Sequence, residues 1–225
     1  MDYNLMKNNK VFISGEVASE PKFSHEVYGE NFFEFDLKVP RLSDSFDKIP
    51  VTVSERLLVT NDIQIGSKIC GNGQFRSYNK LVDEKSKLIL TVFLREIVPY
   101  VENDNPNYIE ITGYVCKEPV FRTTPFKREI TDVLLAVNRS YNKSDYLPCI
   151  AWGRNARFVK TFSVGDKVTV TGRIQSRDYQ KKVNDELITK TAYEVSLNRI
   201  ELVKEENDVD MVMTSVGQLE NYYVR

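Results

Sequence analysis

The sequence predicts an all-β protein made of two tandem five-stranded barrels, each with a short helix between its third and fourth strands. One observation is an internal repeat, in which residues 13–23 (ISGEVASEPKF) return as residues 111–121 (ITGYVCKEPVF). A second is that apolar residues alternate with polar ones in both copies, as in strands with one buried face. Because landmarks recur at one offset over about forty residues, we divide the chain into residues 1–105, 106–204 and 205–225.

The second copy shows the elements in order. Alternation over Ile109–Val115 predicts the first strand, and the apolar run Val133–Val137 predicts a more deeply buried second strand. A third strand passes through residues 146–152, where Pro148 favours an irregular or edge strand. Apolar residues at helical spacing then predict a helix over Arg154–Phe162.

Two further strands complete the unit. Residues 168–174 alternate as a fourth strand, and residues 191–195 form the closing strand. This order of strands and helix is that of the OB-fold barrel, which binds its ligands on strands two and three and on two neighbouring loops. An SH3-like barrel is the alternative fold, and the position of the helix disfavours it.

Composition indicates a soluble globular protein. The chain has 225 residues, of which 41% are hydrophobic and 28% charged, so each copy can bury a core of its own. No apolar run approaches the ~20 residues that span a bilayer. Residues 1–10 also lack the apolar stretch of a secretory signal, so we expect a cytoplasmic location.

Cysteine and histidine are too few to suggest a metal site. Cys70, Cys116 and Cys149 form no CxxC pair, and His25 is the only histidine. An odd number of thiols without such a pattern predicts reduced, buried cysteines. Because the sequence shows neither a metal-ligand cluster nor a nucleophile with its base, we expect a protein that is not an enzyme and has no cofactor.

Charge is distributed unevenly along the chain. Residues 1–105 carry a net −3, residues 106–204 carry +6 and residues 205–225 carry −4, which together give the −1 of the whole chain. A basic unit between acidic segments is typical of a module that binds polyanions. Ordinary scatter of charge remains an alternative, and we interpret residues 205–225 as an acidic, mobile tail.

Two stretches of the second copy closely resemble the bacterial single-stranded DNA-binding protein family. They are residues 135–156 (LAVNRSYNKSDYLPCIAWGRNA) and residues 164–179 (VGDKVTVTGRIQSRDY). The resemblance covers about residues 106–204 and extends to residues 11–98 mainly through the repeat. It implies two OB barrels and four aromatic side chains that stack on bases. By alignment these aromatics are Tyr141, Tyr146, Trp152 and Tyr179.

The chemistry of the second copy agrees with this resemblance. An aromatic platform binds single strands with little regard to sequence because every base has a π-face, and cations hold the phosphates. Residues 173, 175, 177 and 179 are spaced by two, which places them on one face of a strand. The candidate nucleic-acid-binding residues are Tyr141, Tyr146, Trp152, Tyr179, Arg139, Arg173, Arg177, Lys181, Lys182, Arg122, Lys127, Arg128, Lys143 and Arg154.

Some of these residues have simpler structural interpretations. A lone tryptophan in an apolar strand is often a core residue, which is the alternative for Trp152. Tyr146 is evenly balanced between the two interpretations. Arg154 and Arg157 could simply solvate a helix.

The first copy departs from the family pattern. The four positions that match the stacking aromatics carry no aromatic side chain, and they are Ser43, Lys48, Ser54 and Lys80. Tyr78 and Phe46 lie nearby and could substitute for them. We expect the first barrel to be degenerate and to serve mainly in assembly.

The prediction is a non-catalytic protein that binds and protects single-stranded DNA in replication, recombination or repair and is associated with the nucleoid. The resemblance implies a homodimer that carries four barrels. It also implies that replication or repair proteins are recruited through an acidic tail, but this chain closes on YYVR rather than on the usual proline and phenylalanine. The alternatives are an accessory replication-restart or recombination factor that mainly binds proteins, a nuclease on an OB scaffold, and an RNA-binding protein.

Overall fold

The computed structural model describes residues 7–82, 85–100, 102, 105–140, 142–183 and 186–203. In this part of the chain each copy contributes six strands and one helix. The first copy contains β1 (Asn9–Val17), β2 (Lys22–Val27), β3 (Glu30–Pro40), β4 (Phe46–Ser54), α1 (Glu55–Thr60), β5 (Lys68–Val82) and β6 (Lys85–Val98). The second contains β7 (Asn107–Val115), β8 (Val120–Thr123), β9 (Glu129–Arg139), β10 (Lys143–Trp152), α2 (Arg154–Val159), β11 (Lys167–Val183) and β12 (Glu186–Leu202).

Each copy closes into a five-stranded barrel. In the first copy the strands neighbour one another in the order β3-β4-β6-β5-β1, and β1 also pairs with β3. The second copy repeats this as β9-β10-β12-β11-β7, closed by β7 on β9. The β4–β6 and β10–β12 pairs are parallel and the others are antiparallel. With the helix between the third and fourth barrel strands, this is the predicted OB fold, and the prediction is confirmed.

Glycine allows the barrels to close where the first strand meets the second. A Cβ atom on Gly113 would lie 2.7 Å from the Ala136 carbonyl oxygen, and one on Gly15 would lie 2.4 Å from that of Lys38. Any other residue would push the strands apart at these points. The glycine of the repeated motif is therefore required by the backbone packing that closes each barrel.

Three details differ from the sequence prediction. The short strands β2 and β8 were not predicted. Each pairs with a single strand, β2 with β3 and β8 with β9. Helix α2 ends at Val159 rather than at Phe162, because Thr161 and Phe162 donate to carbonyls three residues back and so tighten the chain out of the α-helix. Phe162 is nevertheless buried. Strand β10 is not interrupted at Pro148, because its register with β9 is continuous through this residue. It pairs with β12 only at Cys149 and Ile150.

All three cysteines lie among the described residues. Cys70 and Cys149 are buried and Cys116 is half-buried, and no disulfide joins them. Burial raises the pKa of the Cys149 thiol. Among the helices in this part of the chain, none is long and apolar enough to cross a membrane.

A single inserted residue distinguishes the two helix starts. In the first copy α1 begins directly after β4, and the Ser54 side chain accepts the Leu57 N–H as the N-cap. In the second copy Gly153 lies between β10 and α2, with a φ of 53° that favours glycine. This insertion shifts the repeat by one residue, and it leaves Trp152 at the end of its strand.

The two barrels are joined through their first strands. β1 and β7 pair antiparallel, with Asn9–Ile13 facing Asn107–Ile111. Val11 pairs with Ile109, which is its own counterpart in the repeat. A residue that pairs with its counterpart marks a local two-fold axis, so the barrels are related by a two-fold rotation. The twelve described strands therefore form one continuous sheet.

Two buried carboxylates also connect the barrels, and we call Asp47, Asp145 and the backbone N–H groups they accept the carboxylate clasp. Asp47 Oδ1 accepts the Ser176 N–H at 2.7 Å, and Asp145 Oδ1 accepts the Ser77 N–H at 2.7 Å. Both aspartates are 1% exposed. Each carboxylate lies in one barrel and its N–H donor lies in the other. The clasp therefore joins the barrels through two separate hydrogen bonds.

Candidate nucleic-acid interface

Three of the four predicted aromatics lie on the surface of the second barrel. The exposed fraction is 45% for Tyr146, 37% for Trp152 and 38% for Tyr179. Tyr146 and Trp152 point outward from β10, and Tyr179 points outward from β11. The core interpretation of Trp152 therefore does not hold. Tyr141 lies outside the described residues.

Trp152 borders an open cleft of about 480 Å³ together with basic residues of the β8–β9 turn. Lys127 and Arg128, two of the predicted cations, line this cleft. Arg157 also lines it, and its Nε lies 2.6 Å from Glu129 Oε2. An exposed indole beside exposed cations can stack on a base while the cations contact the adjacent phosphates.

Tyr179 lies beside a cation on the neighbouring outward position of β11. The Arg177 guanidinium is 5.9 Å from the centre of the Tyr179 ring, and its Nε is 3.7 Å from Glu194 Oε1. Glu194 also accepts the Gln175 side-chain N–H at 2.7 Å. The one-face spacing predicted for this strand thus brings Gln175, Arg177 and Tyr179 together, although a carboxylate shares the cluster.

The other predicted cations divide into paired and unpaired groups. Arg122 donates twice to Asp132, and this hydrogen bonding raises the pKa of the guanidinium. Arg139 and Arg173 lie at the junction of the barrels, 3.5 Å and 3.6 Å from Asp145 and Asp47. Side chains that are exposed and have no carboxylate partner among the described residues are those of Lys127, Arg128, Lys143 and Arg154. The side chains of Lys181 and Lys182 lie outside the described part of the chain.

Sequence reasoning missed an exposed aromatic at the tip of the β8–β9 hairpin. Phe126 is 88% exposed and precedes Lys127 in the turn. The corresponding turn between β2 and β3 of the first copy presents Tyr28, whose side chain is fully exposed. The signal that could have identified Phe126 is its position between Pro125 and two basic residues, since a phenyl ring in a basic turn has no core to enter.

The first barrel uses two of the four matching positions for its own structure. Lys48 forms an ion pair with Asp36 at 3.0 Å, and Ser54 caps helix α1. Ser43 and Lys80 are exposed. The nearby candidates are also engaged. Lys38 lies 4.7 Å over the Phe46 ring, and the Tyr78 hydroxyl donates to Glu34 at 3.0 Å. Burial, followed by the charge of Glu34 and this hydrogen bond, raises the pKa of Tyr78 to about 12.

Comparison with known proteins identifies the family of this chain. Residues 106–203 match the single-strand binding protein family. The chain is 32% identical over 83 residues to single-stranded DNA-binding protein B of Bacillus subtilis, an alignment that covers 34% of this chain and 74% of that protein. The chain belongs to the single-strand binding protein family.

Two further similarities extend this assignment. Single-stranded DNA-binding protein 1 of Staphylococcus aureus is 32% identical over 83 residues, which cover 34% of this chain and 50% of that protein. This family member thus spans about half the length of the first curated relatives it matches. The crystal structure of the single-stranded DNA binding protein from Thermus aquaticus has a TM-score of 0.68 at 19% identity, and the match covers 88% of this chain and 93% of that one. That structure supports the same fold over both copies.

Proposed function

We propose that this family member binds single-stranded DNA without sequence preference and without catalysis, in replication, recombination or repair. The observation that carries the proposal is the outward placement of Tyr146, Trp152 and Tyr179 on two strands of the second barrel. The curated relatives are named as single-stranded DNA-binding proteins, which supports the same ligand.

In this mechanism the second barrel holds the strand by stacking and by charge. Each stacked base contributes about 1–3 kcal/mol, and the rings accept any base because they contact its π-face. Lys127, Arg128 and Arg154 contact phosphates on the side of Trp152. A duplex hides the base faces, so its binding is limited to the weaker phosphate contacts.

We further propose that two chains form a homodimer with four barrels, located in the cytoplasm with the nucleoid. The two barrels of one chain already pair by a local two-fold rotation, which leaves the rest of each barrel surface for contacts between chains. Light scattering at several protein concentrations tests the stoichiometry. A monomeric mass throughout would contradict the homodimer without affecting the binding proposal.

Titration with labelled oligothymidine at several salt concentrations tests the function. Affinity should fall as salt rises, with a log–log slope of about −0.7 per phosphate neutralised, and a duplex of equal length should bind much more weakly. Incubation with divalent metal ions should give no cleavage product. Equal affinity for duplex and single strand would overturn the stacking mechanism.

A further inference from the structure

A large cationic cavity lies mostly on the first barrel. It has a volume of about 1130 Å³ and lies between β2, β4, β5 and β6 of the first barrel and the neighbouring ends of β9 and β10 of the second. Among the described residues that line it are five cations and no carboxylate. The five cations are Arg76, Lys80, Arg95, Arg139 and Lys143.

Arg76 is the most deeply placed of these cations and is incompletely satisfied. Its Nε is buried and has no hydrogen-bond partner in the described structure. Its Nη2 donates to Gln74 Oε1 at 3.0 Å, and the same oxygen accepts Nη2 of Arg95 at 3.0 Å. Two guanidinium groups thus share one neutral acceptor, whereas buried cations ordinarily have anionic partners.

Like charges and burial together disfavour the charged form of Arg76. Burial, followed by the repulsion from Arg139 and Arg95, lowers its pKa to about 10. Burial also lowers the pKa of Arg95. Arg76 remains cationic at neutral pH, and its charge is available to an anion that enters the cavity.

Two carboxylates that contact residues of the cavity lining are already engaged by other groups. Asp145 accepts the Ser77 N–H in the clasp and lies 3.5 Å from Arg139, and it offsets the Arg76 charge only in part. Glu34 accepts hydrogen bonds from Ser24 and Tyr78. The cavity therefore keeps an excess of positive charge.

The equivalent place on the second barrel has a different set of charges. Strand pairing puts Arg76 opposite Thr91 in the first barrel and Gln175 opposite Glu194 in the second. Gln175 and Glu194 are hydrogen-bonded to each other at 2.7 Å. Because the second barrel neutralises this position and the first does not, the cationic cavity is particular to the first barrel.

Phe93 indicates which part of a ligand the cavity accepts. The Arg76 guanidinium lies 3.9 Å from the centre of the Phe93 ring and covers its face. A base cannot stack on a face that a guanidinium occupies, whereas the N–H groups of that guanidinium can donate to phosphate oxygens. The part of the cavity around Arg76 and Phe93 is thus suited to phosphate rather than to bases.

We propose that this cavity is a phosphate site and that it holds backbone phosphates of the single strand bound by the second barrel. The proposal of a strand source rests on the proposed function. Arg139 and Lys143 connect the two regions, since they line the cavity from β9 and β10 of the second barrel, and β10 also carries Tyr146 and Trp152. The first barrel then contributes charge, and the second contributes both charge and stacking.

Variants that copy the second barrel test the site with little risk to the fold. Arg76→Gln introduces the residue that occupies the equivalent position 175, and Arg95→Asn introduces the residue found at 198. Arg56→Gln is the matched control, because Arg56 is an exposed cation on α1 that does not line the cavity. All measurements use the full chain.

The first measurement is the salt dependence of oligothymidine binding. For Arg76→Gln we expect affinity at low salt to fall about tenfold and the log–log slope to become shallower by about 0.7 for each phosphate lost. The oligonucleotide should still quench the fluorescence of Trp152, which reports stacking on the second barrel. Arg56→Gln should behave as the wild type. An unchanged slope and affinity in both cavity variants would show that backbone phosphates do not enter the cavity, while persistent Trp152 quenching would leave the proposed function intact.

The second measurement distinguishes backbone phosphate from a free phosphate ligand. Pyrophosphate, compared with chloride at equal ionic strength, should raise the melting temperature of the wild type and of Arg56→Gln but not of Arg76→Gln. If pyrophosphate acts in this way and oligothymidine slopes do not change, the site is retained and its ligand is a free phosphate compound. If neither probe distinguishes Arg76→Gln from the wild type, the phosphate site is refuted.

Discussion

Ser54 and Trp152 occupy matching positions of the repeat and have different roles. Ser54 caps helix α1 with its side chain, whereas Trp152 leaves the capping position to Gly153 and presents its ring to solvent. The inserted glycine therefore frees one strand-end position from a structural role. A bulky ring could then be placed there without loss of the helix start.

Replacing this ring should reduce binding without unfolding the barrel. We expect Trp152→Ala to weaken oligothymidine affinity by about five- to 150-fold, which corresponds to the ~1–3 kcal/mol of one base stack. Phe46→Ala is the matched control, since Phe46 is an exposed aromatic of the first barrel and should leave affinity unchanged. Fluorescence anisotropy measures the affinity, and thermal melting measures the stability of the barrel. A collapse of the melting temperature in Trp152→Ala would contradict a surface role.

In the protein without ligand, replacement of Arg76 should not lower the stability of the fold. Removing an incompletely paired buried cation relieves a desolvation cost, so Arg76→Gln should unfold at the same temperature as the wild type or at a higher one. Differential scanning calorimetry without added anion measures this. A clear drop in melting temperature would mean that packing on Phe93 outweighs the buried charge.

The site could be predicted only in part from the sequence. The aromatic positions were accessible through the family resemblance, and the three that the structure describes lie on the surface. Arg76 was not predicted, because its unsatisfied state depends on the residue across the strand pair. That residue is Thr91 here and Glu194 in the second barrel, and the pairing is known only once the register is known.

The elements that join the barrels are the first strands and the carboxylate clasp. β1 and β7 supply backbone hydrogen bonds, and the clasp adds two buried carboxylates on either side of the axis. A buried carboxylate whose partners are backbone N–H groups positions those groups as well as itself. The junction is therefore specified by side chains of both copies.

Loss of one clasp carboxylate should destabilise the whole chain. Asp47→Ala removes the acceptor of the Ser176 N–H and the carboxylate partner of Arg41, which we expect to cost about 3–5 kcal/mol of unfolding free energy. Asp44→Ala removes an exposed carboxylate three positions earlier and should change stability little. Urea unfolding of both variants provides the comparison. Equal midpoints would show that the clasp is dispensable.

Sequence patterns predicted the long elements better than the short ones. The repeat and the alternation gave the barrel strands, because those strands have one buried face along most of their length. β2 and β8 were missed, since β8 has only four residues and neither strand has a regular apolar face. Helix α2 was predicted too long because Phe162 continues its apolar spacing through a tighter turn.

At the scale of the whole molecule, the net charge of a chain segment does not predict the charge of the surface that this segment forms. Residues 1–105 carry a net −3, yet the cationic cavity lies mostly on that barrel. Acidic residues of the first copy are engaged elsewhere, as Asp36 is with Lys48 and Asp47 is in the clasp. Net charge therefore underestimates what the first barrel can contribute to binding a polyanion.

The second barrel alone should bind DNA less tightly and should change its oligomeric state. A fragment of residues 106–204 would expose the edge of β7 that normally pairs with β1. Because Ile109 pairs with its own counterpart in the intact chain, two copies of β7 can pair in the same way, and we expect the fragment to dimerise. Light scattering measures the mass, and oligothymidine titration measures the lost avidity. A strictly monomeric fragment would argue against pairing of this kind.

The pairing of Val11 with Ile109 has a consequence for how the binding surface can evolve. Two identical subunits joined by this axis would have to carry the same residue at both related positions, so any change would appear twice. In one continuous chain each position mutates alone. Glutamine can stand at 175 while arginine stands at 76, and the two halves of one symmetric frame can specialise for different parts of the same polymer.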